Sequence, residues 1–321
     1  APRVAAIAGA AVRLRPGKGV HVTFERRIGN FGLILEGVDG RTMFLVPHGA
    51  ETILGTTDDD FYGDPASVDG EITRDEIAYI VEAAARAIPQ AREWRPLRAW
   101  AGVRNTLFEW GKDADALSRR HELIDHETRD DVPGLLSMAG GKLASYRAFA
   151  EETTDALLER LGRRPTLCLT GTRPLPGGEG PEPDFRELAR TIPLPPAALE
   201  RVWRRLGSRT RRVLEDAGPD ELAPICRAEA VTGAEIRHAV LVEGCRTLDD
   251  LRRHTHLGNG SCDGLDCAAP AAFLMADLLD WPPERTRTEL HAFLQHRWTT
   301  RRPVLSGATL AQEEIARAVF F

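Results

Sequence analysis

Five cationic side chains stand out for the chemistry they offer: His21, Arg104, Arg119, Arg120 and Lys142. A neutral imidazole can take a proton near pH 7. An arginine fork matches a phosphate or a carboxylate, and a lysine adds a point charge. Spacing alone does not make the five converge, and most arginines of this chain suit a solvated surface. A second feature is Leu135-Leu136-Ser137-Met138-Ala139-Gly140-Gly141-Lys142-Leu143, an apolar strand running into two glycines and then a helix. Glycines let a ligand approach the backbone closely, and a helix N-terminus presents free N–H groups. A plain tight turn would look the same. The third feature is Cys262-x-x-x-x-Cys267, with Cys226 upstream. Cysteines around a glycine-containing loop can hold a metal or cluster, although structural or free thiols are the commoner outcome. Cys168 and Cys245 read as small apolar residues. Asp58-Asp59-Asp60 reads as a solvated turn. Gly17-x-Gly19 and Gly258-x-Gly260 do not complete the G-x-G-x-x-G fingerprint of a dinucleotide site.

The elements that must position these residues are legible from periodicity. Lys18 to Phe24 alternates, with Val20, Val22 and Phe24 on one face and His21 and Thr23 on the other. Thr42 to Val46 and Glu51 to Gly55 are two more strands, joined through Pro47-His48-Gly49, which suggests an antiparallel meander. Thr73-x-x-Glu76 is a capping box. The helix behind it carries Ile77, Ile80, Val81, Ala84 and Ile88 and stops at Pro89. Strands follow over Leu97 to Val103, Arg120 to Asp125 and Leu135 to Ala139. A long helix then runs from about Lys142 to Leu161, with Tyr146, Phe149, Ala150, Thr153, Leu157 and Leu161 on its apolar face. Prolines and glycines crowd the stretch from Arg163 to Asp184, a linker composition. Beyond it Thr232-x-x-Glu235 and Thr247-x-x-Asp250 start helices, and Ala268 to Leu279 is a third, with Pro270 in its first turn.

A chain of 321 residues suits about two domains. At 42% apolar and 28% charged residues it has the composition of a soluble globular protein, not a disordered one. No apolar run reaches the ~18 residues of a transmembrane helix. A net charge of −6 argues against nucleic acid as a partner. Five cysteines make no disulfide framework, so a reducing compartment, the cytoplasm, is expected. No signal peptide is visible, and the start at Ala1 reads as a trimmed or processed end.

Five motifs in order carry a resemblance. They are Pro16-Gly17-Lys18-Gly19-Val20-His21-Val22, Gly55-Thr56-Thr57-Asp58, Ala101-Gly102-Val103-Arg104, Leu117-Ser118-Arg119 and Gly140-Gly141-Lys142-Leu143-Ala144-Ser145-Tyr146-Arg147. Together they resemble the FAD-dependent glycerol-3-phosphate dehydrogenases. The second half, from Cys226-Arg227-Ala228-Glu229-Ala230-Val231-Thr232 to Gly258-x-Gly260-x-Cys262-Asp263-Gly264-x-x-Cys267, is similar to the large subunit of the anaerobic branch. That branch has a C-terminal domain of the bacterioferritin-associated ferredoxin type. The tail Arg297-Trp298 to Arg302-Pro303 is similar to it too. Two positions depart from the pattern: Asn105 stands where the family usually has proline, and Ala228 where the branch has a cysteine.

The resemblance implies an α+β fold: an antiparallel substrate-binding sheet of the D-amino-acid-oxidase-like flavin fold, then a mostly helical C-terminal domain. The expected division is 1–162 for the sheet and its final strand and helix, 163–183 for the linker and 184–321 for the helical domain. An iron–sulfur-like region would occupy about 224–280. The family's Gly-rich FAD-binding half would precede this chain, which alone is not expected to retain FAD. The implied reaction is oxidation of sn-glycerol 3-phosphate to dihydroxyacetone phosphate, with electrons passed towards quinone. His21 would act at the reacting hydroxyl, Arg104 and Arg119 would hold the phosphate, and Lys142 would polarise the oxygen at C2. Gly140, Gly141, Lys142 and Leu143 would lie against the flavin ring. Cys226, Cys262 and Cys267 are three of the four thiolates a 2Fe–2S cluster needs, so an empty or partly filled site is expected. Implied partners are membrane-associated electron-acceptor subunits and a complementary FAD-binding half, on the inner face of the cell membrane. Two other readings are a related amine or amino-acid oxidase of the same flavin fold and a non-catalytic interaction or electron-transfer module.

Overall fold

The computed structural model describes residues 1–111, 120–215 and 217–320. It divides into two compact units, Ala1–Arg173 and Pro174–Phe321, with the break inside the proline- and glycine-rich stretch.

The first unit opens with helix α1 (Pro2–Ile7) and is built on a sheet of β1 (Leu14–Phe24), β2 (Leu33–Glu36), β3 (Thr42–His48), β4 (Glu51–Gly55), β5 (Asp59–Asp60) and β6 (Pro96–Leu107). Strands β2, β3 and β4 form an antiparallel meander. The long β1 then takes β4 and β5 along one edge and β6 along the other. Alternation along β1 sorts its side chains cleanly. Val20, Val22 and Phe24 face a dry layer with Met43, Leu45 and Leu54, all at most 1% exposed. Each such burial contributes roughly 1.5–3 kcal/mol. Helix α2 (Arg74–Ala87) covers that face. Its buried positions are Ile80, Ala83, Ala84 and Ala85, whose mostly small side chains let the helix lie close. The Thr73/Glu76 capping box forms as expected, and the other Glu76 oxygen pairs with Lys18 Nζ at 2.8 Å, tying helix to sheet.

A second ribbon pairs β7 (His121–Asp125) with β8 (Leu136–Gly140), around the short helix α3 (His126–Asp130). Helix α4 (Tyr146–Arg160) follows. Three expectations need correction here. Strand β2 was not foreseen, because Leu33-Ile34-Leu35 shows no alternation. The helix after the glycines starts at Tyr146 rather than Lys142, since Leu143–Ser145 form a separate 3-10 turn. No α4 residue is buried: Tyr146 is 64% and Leu157 47% exposed, so the apolar face read from the sequence stands open.

The second unit holds α5 (Phe185–Leu188), α6 (Pro196–Leu206), α7 (Thr210–Leu214), α8 (Pro219–Leu222) and the small pair β9 (Pro224–Cys226) and β10 (Val231–Thr232). Then come α9 (Gly233–Leu241), α10 (Leu248–Thr255), α11 (Ala268–Leu279), α12 (Pro283–Arg301) and α13 (Gly307–Phe320). Capping boxes at Thr232/Glu235 and Thr247/Asp250 start α9 and α10. The core gathers Val231, Ile236, Leu248, Leu251, Met275 and Phe293 with Cys226, Cys245 and Cys267. The Glu235 carboxylate, fully buried, is held between Arg201 and Arg205 of α6. No helix among the described residues is long and apolar enough to cross a membrane.

Candidate active site

The opposite face of the first unit's sheet carries the side chains of Arg15, His21 and Thr23 from β1, with Gly17 and Gly19 in the same alternation. Opposite them on β6 stand Thr106, Arg104, Gly102, Trp100 and Arg98. His21 sits in a cross-strand row between Gly55 and Trp100. Its ring stacks on Trp100, with centroids 4.3 Å apart and planes 6° from parallel. Gly55 is needed on the other side, because a Cβ there would lie 2.5 Å from His21 Cδ2. Burial pulls the imidazole down to about 4, helped by the Arg104 guanidinium; the Gly19 backbone acts weakly the other way. His21 is therefore neutral at pH 7, and its Nδ1 is buried with no hydrogen bond of good geometry among the described residues.

Arg104 is held by the Gly55-Thr56-Thr57-Asp58 segment. It donates to Asp58 Oδ1 at 3.2 Å and to Thr56 Oγ1 at 3.0 Å. Gly19 leaves room for this layer: a Cβ there would lie 2.6 Å from the guanidinium and 2.7 Å from Thr56 Oγ1. Thr57 repairs the gap between β4 and β5. Its buried hydroxyl accepts from Val20 N–H at 3.0 Å and donates to the Lys18 carbonyl at 3.3 Å, groups on β1 that would otherwise lose their ladder partner. Arg15 pairs with Asp60 at 2.5 Å and Asp58 at 3.5 Å, and Arg41 with Asp59 at 3.4 Å. The three aspartates are thus counter-ions to arginines, a correction to the solvated turn expected from composition.

Gly140 and Gly141 both adopt left-handed backbone conformations, with φ of 74° and 80°, as their type suggested. Gly141 N–H donates to the Arg120 carbonyl, and the Phe149 ring of α4 packs where its side chain would be. Lys142 and Leu143 are exposed. Gly140 lies against Leu107, three residues beyond Arg104 on β6. Arg119, with Leu117 and Ser118, lies outside the described residues. Sequence reasoning missed Thr56, Asp58, Arg15 and Trp100 as parts of this face. Thr56 and Asp58 were signalled only by the motif Gly55-Thr56-Thr57-Asp58, and Arg15 and Trp100 by nothing local.

In the second unit the interaction of Cys226 with Cys267 pulls the Cys226 thiol down to about 6 and pushes the Cys267 thiol up, and burial and the charges of Cys226 and Cys262 add to the rise at Cys267. Burial, with Asp250 and Glu243 nearby, pushes the Cys245 thiol up to about 11. Ala228 packs its methyl against Gly260, two residues before Cys262. Of the expected ligands, Cys226 and Cys267 are buried in the second unit's core and Cys262 is half-buried in the loop before α11. Among the described residues no group of three or more His, Cys, Asp or Glu could hold a metal ion. These residues do not fit a four-thiolate 2Fe–2S cluster, and the likeness to the bacterioferritin-associated ferredoxin type finds no support.

Comparison with known proteins agrees with the sheet. The family model for FAD dependent oxidoreductases matches residues 2–147, and that for the C-terminal domain of alpha-glycerophosphate oxidase matches residues 168–286. The chain is 31% identical to the A subunit of the anaerobic glycerol-3-phosphate dehydrogenase of Haemophilus influenzae, covering 97% of this chain and 54% of that one. It is 32% identical to the A subunit of the Escherichia coli enzyme of the same name, covering 99% and 58%. The chain therefore spans about half the length of the curated relatives it matches. The solved glycerol-3-phosphate dehydrogenase from Bacillus halodurans, complexed with FAD, superposes with a TM-score of 0.73 at 23% identity, over 92% of this chain and 59% of that one. The fold is that of the flavin oxidoreductases, an antiparallel sheet with a helical C-terminal part.

Proposed function

Because the chain belongs to the FAD-dependent glycerol-3-phosphate dehydrogenase family, we propose that the sheet face bearing His21 and Arg104 is the substrate side of an sn-glycerol 3-phosphate oxidising site, complete when an FAD-binding half is present. The observation that carries this reading is a neutral, stacked His21 beside a fixed guanidinium on one sheet face. Oxidation of the C2 alcohol removes a proton from oxygen and a hydride from carbon. A bound flavin supplies the hydride acceptor.

This chain's residues do the rest. His21 takes the hydroxyl proton at a ring nitrogen, which an imidazole held neutral can do at pH 7. Arg104, pre-oriented by Asp58 and Thr56, holds the phosphate, and the Trp100 ring fixes the plane of the imidazole. Arg119 is proposed as a second phosphate ligand and Lys142 as the group polarising the C2 oxygen. Gly140, Gly141, Lys142 and Leu143 would hold one edge of the flavin. The exposed apolar face of α4 suits cover by the FAD-binding half. Electrons then leave towards quinone through partner subunits, and the isolated chain is inactive.

The test is substrate choice in the chain joined to such a half. Glycerol 3-phosphate should reduce a soluble quinone, while glycerol and glycine should not. Turnover of glycine with no response to glycerol 3-phosphate would instead make the site that of an amino-acid oxidase.

A further inference from the structure

Most strand glycines of the first unit are required by the chain itself, and Gly102 is not. At Gly17, Gly19 and Gly55 a Cβ would lie 2.5, 2.6 and 2.5 Å from Asp58, the Arg104 guanidinium and the His21 ring. Gly140 has a left-handed backbone, with φ of 74°. Gly102, in the middle of β6, has no positive φ, and a Cβ there would meet nothing within 4 Å among the described residues. It is exposed, and the pairing of β1 with β6 is regular around it, so no bulge calls for a glycine either. A glycine inside a strand costs backbone entropy and gives up side-chain packing. With conformation, packing and bulge set aside, close approach of another molecule is the reason that remains.

The place of Gly102 on the sheet says which part of a ligand would come that close. It lies directly across from Gly19, and the next pair on the same face is His21 with Trp100. At ~3.4 Å per residue, Gly102 is about 7 Å along β6 from Trp100 and about 7 Å from Arg104. The Trp100 ring, stacked on His21 at 4.3 Å, stands at one end. At the other the Arg104 guanidinium reaches back over Gly19, held by Asp58 at 3.2 Å and Thr56 at 3.0 Å. A proton acceptor and an anion holder thus flank a strip of bare backbone. We propose that Gly102 is the specificity-determining position of this face: the substrate's carbon chain lies against its backbone, between the imidazole and the guanidinium, which selects short, unbranched phosphate esters. The inference rests on the function proposed above and adds a limit on the size and branching of the substrate. A side chain at 102 would lift the carbon chain off the sheet, and the hydroxyl and the phosphate could not both reach their partners.

The test compares Gly102→Ala and Gly102→Val with the wild type in two settings. In the chain alone, urea unfolding midpoints should equal the wild-type value or exceed it, because the added Cβ has room and the unfolded chain loses freedom. A clear fall in the midpoint of Gly102→Ala would mean that another part of the protein covers the position, and would overturn the proposal. In the chain joined to an FAD-binding half, measured per bound flavin, Gly102→Val should raise KM for glycerol 3-phosphate about tenfold or more, and Gly102→Ala should raise it less. Propyl phosphate should compete with glycerol 3-phosphate in the wild type, and neopentyl phosphate should not. An unchanged KM in Gly102→Val, or equal competition by the two esters, would overturn the proposal and leave the alcohol-oxidation reading standing. A wild type that glycerol 3-phosphate does not reduce would remove that reading, and this proposal with it.

Discussion

At His21 the desolvation that keeps the imidazole neutral also makes a pH liability. Its folded-state value, about 4, lies below the ordinary 6.5, so protons bind the unfolded chain first. Its contribution to stability is fully present above pH 6.5 and is lost as pH falls from there towards 4. Urea unfolding at pH 7.5 and at pH 5 should show this loss, and His21→Gln should remove that part of the difference. An unchanged pH dependence in His21→Gln would place the titrating group elsewhere. Arg104 is the other residue to test. In a complete enzyme Arg104→Ala should raise KM for glycerol 3-phosphate roughly 30- to 1,000-fold, the ~2–4 kcal/mol of a dry charge-assisted contact. Arg104→Lys should also be costly, because an ammonium cannot span Asp58, Thr56 and a phosphate as a fork does. Unchanged KM in both variants would reduce Arg104 to a structural partner of Asp58.

Among the elements, β8 leads to the Gly140-Gly141 turn, and it is anchored by a side chain buried beneath it. His126, with no exposed surface, pairs its Nδ1 with Asp130 Oδ2 at 2.5 Å and its Nε2 with Ser137 Oγ at 2.8 Å. It thereby fixes α3 to β8. His126→Ala would leave both partners unmatched and a cavity behind, a loss of about 2–4 kcal/mol. Chemical denaturation of the chain should show it, and a shift under ~0.5 kcal/mol would mean that the region is loosely coupled to the rest. What the sequence made legible at this scale were elements with local signals. Strand β4 ends where its glycine stands, and α2, α9 and α10 begin at capping boxes whose two partners lie three residues apart. Pairings between distant segments were not legible. Arg104 meets Asp58 across 46 positions, and a run of aspartates has the same composition whether solvated or paired. The α4 face had the right period for burial, yet periodicity says nothing of whether a covering partner is part of the chain.

On the scale of the whole molecule, the chain holds the proposed substrate sheet and a helical unit, and its sequence carries no G-x-G-x-x-G loop to seat a pyrophosphate on a helix N-terminus. The turn at Gly140-Gly141 offers a few N–H contacts of roughly 1 kcal/mol each, too little against the entropy of association. Gel filtration of the chain mixed with FAD should therefore return colourless protein, and one FAD retained per chain would reveal a flavin site outside the turn. The central claim, that the His21 face performs the alcohol oxidation, is tested most directly by flavin reduction in a single turnover. The chain would be joined to an FAD-binding half and mixed anaerobically with glycerol 3-phosphate, and bleaching of the visible flavin band followed for wild type and His21→Asn. Bleaching is expected in the wild type, with a rate about 100- to 10,000-fold lower in His21→Asn while FAD stays bound. Equal rates in the two proteins would contradict a role for His21 in the chemistry.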